Sequence, residues 1–201
     1  MKKGIFIVIL LVLGYNSIYF KKLSEVRNQQ QTSFDFKTFA DSLYYQGILK
    51  SNNAVELSQL SALVQSNPDS AFKAYGNRLG IGNSAYFMVK GEGKVIEKQA
   101  SGLKVVTDTH TILMVDTKYI FGNAIRDASG LVKLTDFKTN ADFNKLSEAL
   151  NNVIREKAIP EDLKAINVGD KITLSGATKL SKTQDKSTTL SILPIRISKT
   201  E

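Results

Sequence analysis

One long amphipathic helix, set between segments that alternate like strands, most constrains what this chain can fold into. Between Thr139 and Ala158, apolar residues recur every three or four positions, the spacing of one face of a helix. Thr139 is a suitable N-cap, and Pro160 is expected to end the helix because proline cannot continue its hydrogen bonding. Since only one side of this helix is apolar, we expect a sheet to cover that side. The apolar residues are Phe143, Leu146, Leu150, Val153, Ile154 and Ala158.

The segments on either side of this helix show the two-residue alternation that is typical of strands. Before the helix, alternation begins at Ser84, and Gly91-Glu92-Gly93 is interpreted as the turn between the first two strands. It continues to Arg126, and after the helix two closing strands begin at Lys171 and Leu190. This order predicts an α+β or mostly β fold, an OB-like five-stranded barrel with one inserted helix. An α+β sheet with a covering helix is the alternative.

The start of the chain is typical of a membrane-inserted segment. Residues 4–20 carry no charge, and two lysine pairs, Lys2-Lys3 and Lys21-Lys22, flank them. The run is at the short end of the lengths that span a bilayer. Tyr15-Asn16-Ser17 lacks the small residues that precede a signal-peptide cleavage site, so we predict an uncleaved signal anchor, with a cleaved signal peptide as the alternative. We expect a single-pass protein of the bacterial inner membrane whose domain faces the periplasm, although charge alone leaves the orientation open.

These patterns divide the chain into four regions. The third region contains amphipathic helices that are expected to pack on the barrel after an N-terminal membrane anchor and a tether. Within it, Asn52-Asn53 and Asn67 are predicted to cap two of the helices, the later one starting at Pro68. The regions are 1–22, the signal anchor or transmembrane segment; 23–33, the polar tether; 34–80, the helical segment; and 81–198, the OB-like domain with the helix at 139–158.

Charge and composition limit the partners. The net charge of +8, from 27 Lys and Arg against 19 Asp and Glu, first suggests a nucleic-acid partner. Half of this excess lies in residues 1–33 and the rest is dispersed, so no nucleic acid is expected. The chain has no cysteine, which excludes disulfides, thiol nucleophiles and thiolate metal sites. The carboxylates are scattered, and the one histidine, His110, is expected at an exposed strand edge, so we predict no cofactor, no metal and no catalytic residues.

Ligand-binding residues are predicted around Arg126 and Asp127. On a strand, neighbouring side chains point to opposite faces, so these two are not expected to pair with each other. One of them would face the barrel interior or its mouth, where Arg126 could grip an anion or a sugar; a structural ion pair is the alternative. Tyr119 and Phe121 belong to an aromatic set that could form a stacking platform, with a place in the core as the alternative.

Several motifs, taken in their order along the chain, resemble one protein family. They are Val89–Val95 (V-K-G-E-G-K-V), Gly122–Ala128 (G-x-x-x-R-D-A), Asp136–Phe143, Gly169–Ala177 and Ile192–Ile195. This ordered set resembles the domain-of-unknown-function family 2291, predicted periplasmic lipoproteins that are often encoded beside sugar ABC-transporter genes. The resemblance implies an extracytoplasmic domain without an assigned activity. The family's lipoproteins carry an acylated cysteine that this chain lacks, so membrane attachment here would depend on residues 4–20.

The function expected from the sequence is therefore a membrane-anchored extracytoplasmic protein that acts as a non-enzymatic binding or assembly module. Its expected partners are the membrane, through the N-terminal helix, and a transporter or solute-binding component, as an accessory to a sugar ABC transporter. The alternative is a hydrolase that acts on saccharides or phosphoesters with the region of Arg126 and Asp127.

Overall fold

The computed structural model describes residues 34–78, 80, 82–183 and 189–200. The chain from Phe36 onward forms one compact unit. The predicted signal anchor, 1–22, and the polar tether, 23–33, lie outside the described residues. Within those described ranges, no helix is both long and apolar enough to cross a membrane.

Six strands and six α-helices follow one another in the described part of the chain. The strands are β1 (Val55–Glu56), β2 (Ser84–Lys98), β3 (Gly102–Val106), β4 (Ile112–Asp116), β5 (Lys171–Ser181) and β6 (Leu190–Lys199). The helices are α1 (Phe36–Ser42), α2 (Leu57–Ser66), α3 (Pro68–Tyr75), α4 (Ala124–Ser129), α5 (Asn140–Val153) and α6 (Ile159–Leu163). Tighter or wider helical turns lie at Leu43–Gly47, Ile48–Lys50, Leu134–Asp136 and Ile154–Ala158.

Five of the strands close into a ring. They neighbour one another in the order β2-β3-β4-β6-β5, and β5 pairs back with β2. Every pairing in the ring is antiparallel except that of β4 with β6, which is parallel. The short strand β1 pairs with β2 in parallel outside the ring. Five strands joined in this way, with α5 between the third and the fourth, form an OB fold, so the predicted fold is confirmed.

Strand β2 contains the two glycines that were predicted to form a turn, and that prediction is wrong. The strand runs without a break, pairing with β5 through Lys94 and with β3 from Lys94 onward. A Cβ on Gly93 would lie 2.6 Å from Cγ1 of Val105 and 2.8 Å from the carbonyl oxygen of Val106. Glycine therefore stands here because the neighbouring strand approaches closely at the place where β2 changes partners, and not because the chain reverses.

Helix α5 begins and packs much as its sequence predicts. The Thr139 hydroxyl accepts a hydrogen bond from the backbone N–H of Asp142 at 3.1 Å, as an N-cap should. The apolar side of the helix is buried, and α1 packs along it. Leu146, Leu150, Val153 and Ile154 belong to the same hydrophobic cluster as the inward-facing residues of the ring. The helix therefore closes a core that it shares with the sheet and with α1.

Pro160 does not end the helical segment, contrary to the sequence prediction. After α5 the chain makes a π-helical turn at Ile154–Ala158 and continues directly into α6. Pro160 lies in the first turn of α6, where the backbone N–H that proline lacks is not needed for a hydrogen bond within that helix. The extra turn also lets the Asp162 carboxylate accept a hydrogen bond from the backbone N–H of Ile197 in β6, at 2.8 Å.

The segment Gly122–Ala128, predicted as a strand, forms the short helix α4 instead. Gly130 ends this helix in the left-handed conformation, with φ of 64°. Alternation over so few residues does not distinguish a strand from one and a half turns of a buried helix. The stretch after it contains a 3₁₀ turn at Leu134–Asp136.

The helices that precede the ring pack against it. The Tyr44 hydroxyl, buried in the π turn after α1, donates a hydrogen bond to the carbonyl oxygen of Ile195 in β6 at 2.9 Å. The predicted cap of α3 is confirmed, because the Asn67 side chain accepts from the backbone N–H of Ser70 at 3.1 Å. The predicted cap at Asn52-Asn53 is wrong, since β1 follows those residues and α2 begins only at Leu57.

Candidate functional site

Arg126 and Asp127 form a buried ion pair. Both lie on α4, where adjacent side chains can meet, so the expectation that they point to opposite faces of a strand is wrong. The Nε and Nη2 atoms of Arg126 both approach Oδ1 of Asp127, at 2.8 Å and 2.7 Å. Only 2% of Arg126 and 6% of Asp127 is exposed to solvent. The pair is therefore nearly sealed from a ligand in solution.

The remaining contacts of this pair join three parts of the chain. Arg126 donates from Nη1 to the carbonyl oxygen of Phe143 in α5 at 2.9 Å, and its guanidinium lies 3.4 Å from the centre of the Phe143 ring. The Asn123 amide donates to the other oxygen of Asp127 and accepts from the Tyr86 hydroxyl at 3.3 Å. The pair is thus a structural ion pair, although its two charges pair with each other and not with a charged group of a separate helix or loop, while a role in ligand binding stays a prediction.

Tyr119 and Phe121 lie on the loop between β4 and α4 and point outward. Their exposed fractions are 56% and 58%, whereas Ile120 between them is fully buried. Neither ring is therefore a core residue. Phe121 forms one edge of a cleft, and the residues that line this cleft do not include Tyr119. The structure thus separates the two aromatic residues that the sequence placed together.

The cleft has a volume of about 380 Å³, at the small end of the range of roughly 300–1,000 Å³ that is usual for small-ligand sites. Residues 121–123 form one wall and the polar side of α5 forms the other. Positions three and four apart share one face of a helix, so a polar stripe along α5 and its extension faces the loop. The stripe consists of Asn144, Ser147, Glu148, Asn151, Asn152 and Arg155.

Ser147 stands out in the inner wall of the cleft. It is 5% exposed, and its hydroxyl makes no hydrogen bond with the described residues. A serine within a helix commonly bonds the carbonyl four residues earlier. Here that carbonyl belongs to Phe143 and accepts from Arg126. Burying a polar group without a partner costs about 1–3 kcal/mol.

Two further contacts hold the walls of the cleft together. The Asn151 amide donates to the carbonyl oxygen of Gly122 at 2.7 Å. Arg155 donates to the carbonyl oxygen of Ile120 at 3.1 Å, and its guanidinium lies 4.7 Å from the centre of the Phe121 ring. The loop is therefore joined to α5 by hydrogen bonds, and the Arg155 guanidinium lies against the Phe121 ring.

The polar stripe of α5 was not among the residues predicted from the sequence. Its signal was present, because six polar residues recur at helical spacing between Thr139 and Ala158. That pattern is also typical of a solvated helix face, and only the loop at residues 121–123 turns it into a wall. Among the described residues, no group of three or more His, Asp or Glu side chains is placed to hold a metal ion.

The comparison with protein families decides the family of this chain. The family model described as predicted periplasmic lipoprotein, domain of unknown function 2291, matches residues 8–198. The chain belongs to this family. The resemblance drawn from its motifs is confirmed, and the family's description places the protein outside the cytoplasm and in association with a membrane. The description assigns no activity to the family.

A solved structure supports the fold independently. The chain is similar to an OB-fold protein from Thermotoga maritima, whose crystal structure was determined at 1.90 Å resolution. The TM-score is 0.73 at 22% sequence identity, and the match covers 84% of this chain and 100% of the other. Identity at this level shows a common fold and nothing of the function. A comparison with curated protein sequences finds no match.

Proposed function

We propose that this protein is a non-enzymatic, membrane-anchored extracytoplasmic module that binds a small ligand in the cleft between Phe121 and α5. The observation that carries this proposal is the Phe121 ring, which is 58% exposed at the edge of the cleft and shares its lining with a row of asparagine amides. Small-ligand sites commonly combine an aromatic surface with a few convergent polar groups.

The lining of the cleft favours binding over catalysis. Its polar groups are mainly amides, which neither accept nor release protons near neutral pH. The Ser147 hydroxyl has no hydrogen-bonded base to activate it as a nucleophile. Glu148 is the one carboxylate in the lining, whereas glycoside hydrolysis generally uses a pair of them.

The hydrolase hypothesis, with the region of Arg126 and Asp127 as its centre, receives no support from this geometry. A catalytic acid, base or anion clamp has to reach the substrate, and these two side chains are buried against each other and against α5. We therefore prefer the binding module.

The family description supports the extracytoplasmic location, and the proposed anchor is the uncharged segment at residues 4–20. The proposed partner is a transporter or a solute-binding component, to which the protein would be an accessory. For the location, protease added to spheroplasts should digest the folded domain before the cells are lysed. A domain that stays protected until lysis would contradict an orientation toward the periplasm.

The cleft is tested by closing it. Asn144→Trp places a large side chain in the wall, and Asn167→Trp puts the same change on an exposed turn that does not line the cleft. The full chain in detergent micelles is screened against mixed small metabolites by ligand-detected NMR. We expect signals that vanish in Asn144→Trp and persist in Asn167→Trp. Equal binding by both variants would show that the ligand lies elsewhere, and no signal with any mixture would refute the small-ligand function.

A further inference from the structure

The charges around the cleft identify the kind of ligand. Glu148 and Arg155 are the two charged side chains in its lining, and they are of opposite sign. Arg155 is also partly neutralised, because its guanidinium lies 3.2 Å from the Glu156 carboxylate and donates to the Asn152 amide oxygen. A charged ligand would lose its hydration here without gaining a matching charge, which is costly. The cleft is therefore suited to a neutral molecule.

The polar groups that face the cleft select a ligand rich in hydroxyl groups. Asn144 presents an amide that can donate and accept hydrogen bonds at once, and Asn152, whose oxygen Arg155 bonds, still offers its amide N–H groups. Glu148 adds a carboxylate that accepts. A hydroxyl group of a ligand can both donate and accept, so a row of ligand hydroxyls would match this row of side chains along α5.

Phe121 supplies the apolar part of the site. Its ring is 58% exposed at the edge of the cleft, and the Arg155 guanidinium lies 4.7 Å from the ring centre. An exposed aromatic ring beside polar groups offers a flat apolar surface. A pyranose ring has an apolar face of C–H groups with hydroxyls at its rim, the same combination in complementary form.

From these three observations, and resting on the proposed binding function, we infer that the cleft is a saccharide site. The ligand class is a neutral mono- or disaccharide whose ring stacks on Phe121 and whose hydroxyls bond the asparagine amides of α5. The volume of about 380 Å³ limits it to one small ligand.

The test is a titration of the full chain, in a detergent without a sugar headgroup, with a panel of neutral mono- and disaccharides. The panel is extended by sugar phosphates, amino acids and nucleotides. Binding is followed by calorimetry and by saturation-transfer NMR, and we expect saturation of ring C–H protons for one or more of the neutral sugars. Binding confined to the charged compounds would overturn the saccharide assignment and leave the proposed binding function standing. The absence of binding by every compound would overturn both.

Two variants with matched controls tie the sugar to this cleft. Phe121→Ala should lower the affinity about tenfold or more, and Tyr119→Ala, which removes an equally exposed ring outside the cleft, should not change it. Asn144→Ala should lower the affinity about threefold to tenfold while the melting temperature stays level or rises, because Asn144 is exposed and alanine favours a helix. Loss of affinity in Tyr119→Ala, or none in Phe121→Ala and Asn144→Ala, would overturn the assignment. Circular dichroism confirms that each variant folds, and Phe121→Leu separates the aromatic surface from mere apolar bulk.

Discussion

Removing the Asp127 carboxylate tests whether the buried pair on α4 is structural. In Asp127→Ala the Arg126 guanidinium loses two short bonds, at 2.8 Å and 2.7 Å, and stays in a site where only 2% of it is exposed. Its bond to the Phe143 carbonyl and its stacking on the Phe143 ring remain, but neither supplies a negative charge. An uncompensated charge is thus left inside the protein.

The expected loss of stability follows from that charge. Breaking a buried ion pair by removing one partner costs about 3–5 kcal/mol. In a protein of this size each kcal/mol lowers the melting temperature by about 2–4 °C, so a decrease of about 6–20 °C is expected. Replacing both members in Arg126→Met/Asp127→Leu should recover at least half of the loss, because two apolar side chains need no partner charge.

Thermal unfolding of the full chain, followed by circular dichroism, measures these changes. Lys164→Met is the matched control, since it breaks an ion pair with Glu161 in which both side chains are more than two-thirds exposed, and it should leave the melting temperature unchanged. A decrease of less than 2 °C in Asp127→Ala would refute the structural interpretation of the pair. A double variant that is no more stable than the single one would refute the assumption that the unpaired charge is the cause.

Two further predictions concern the ring and its contact with α6. Gly93→Ala should destabilise the protein by about 1–3 kcal/mol in urea unfolding, because the new Cβ would lie 2.6 Å from Val105. Gly82→Ala is the control, since a Cβ there would have nothing within 4 Å, and it should cost far less. Equal effects of the two substitutions would refute the close approach at Gly93 as the cause. Burial raises the pKa of Asp162 above its ordinary value of 3.8, against the opposing hydrogen bond from the Ile197 N–H. The folded state then holds this proton more tightly than the unfolded state, so this contribution to stability is complete below pH 3.8 and is lost as the pH rises through the folded pKa. Asp162→Asn should remove that part of the pH dependence in melting curves, and an unchanged pH profile would show that Asp162 is not its source.

The part of the fold that could be predicted is the part set by long periodic segments. From Phe143 to Ile154, too many apolar residues fall at helical spacing for the segment to be a strand. The order of the strands around this helix leaves few ways to close a sheet. Gly93 could not be interpreted correctly, because glycine permits both a turn and a close approach. Whether Gly93 forms a turn or allows a close approach depends on where β3 lies, and no local sequence pattern indicates that position.

The candidate site was harder to predict because it depends on contacts between distant segments. The six residues of α4 were too few to reveal a helix, and the error about their conformation led to the error about the ion pair. The polar stripe of α5 could be seen in the sequence, but without the loop at residues 121–123 it has the appearance of a solvated surface. The burial of Ser147, which leaves only 5% of it exposed, is a property of the folded chain and has no signal in its neighbours along the sequence.

The predicted residues and the cleft nevertheless belong to one construction. Arg126 binds the Phe143 carbonyl of α5, Asp127 binds the Asn123 amide of the loop, and Asn151 binds the Gly122 carbonyl of the same loop. These bonds fix the distance between the two walls of the cleft. The charged pair thus contributes to the proposed site by positioning its walls, and it need not touch the ligand to do so.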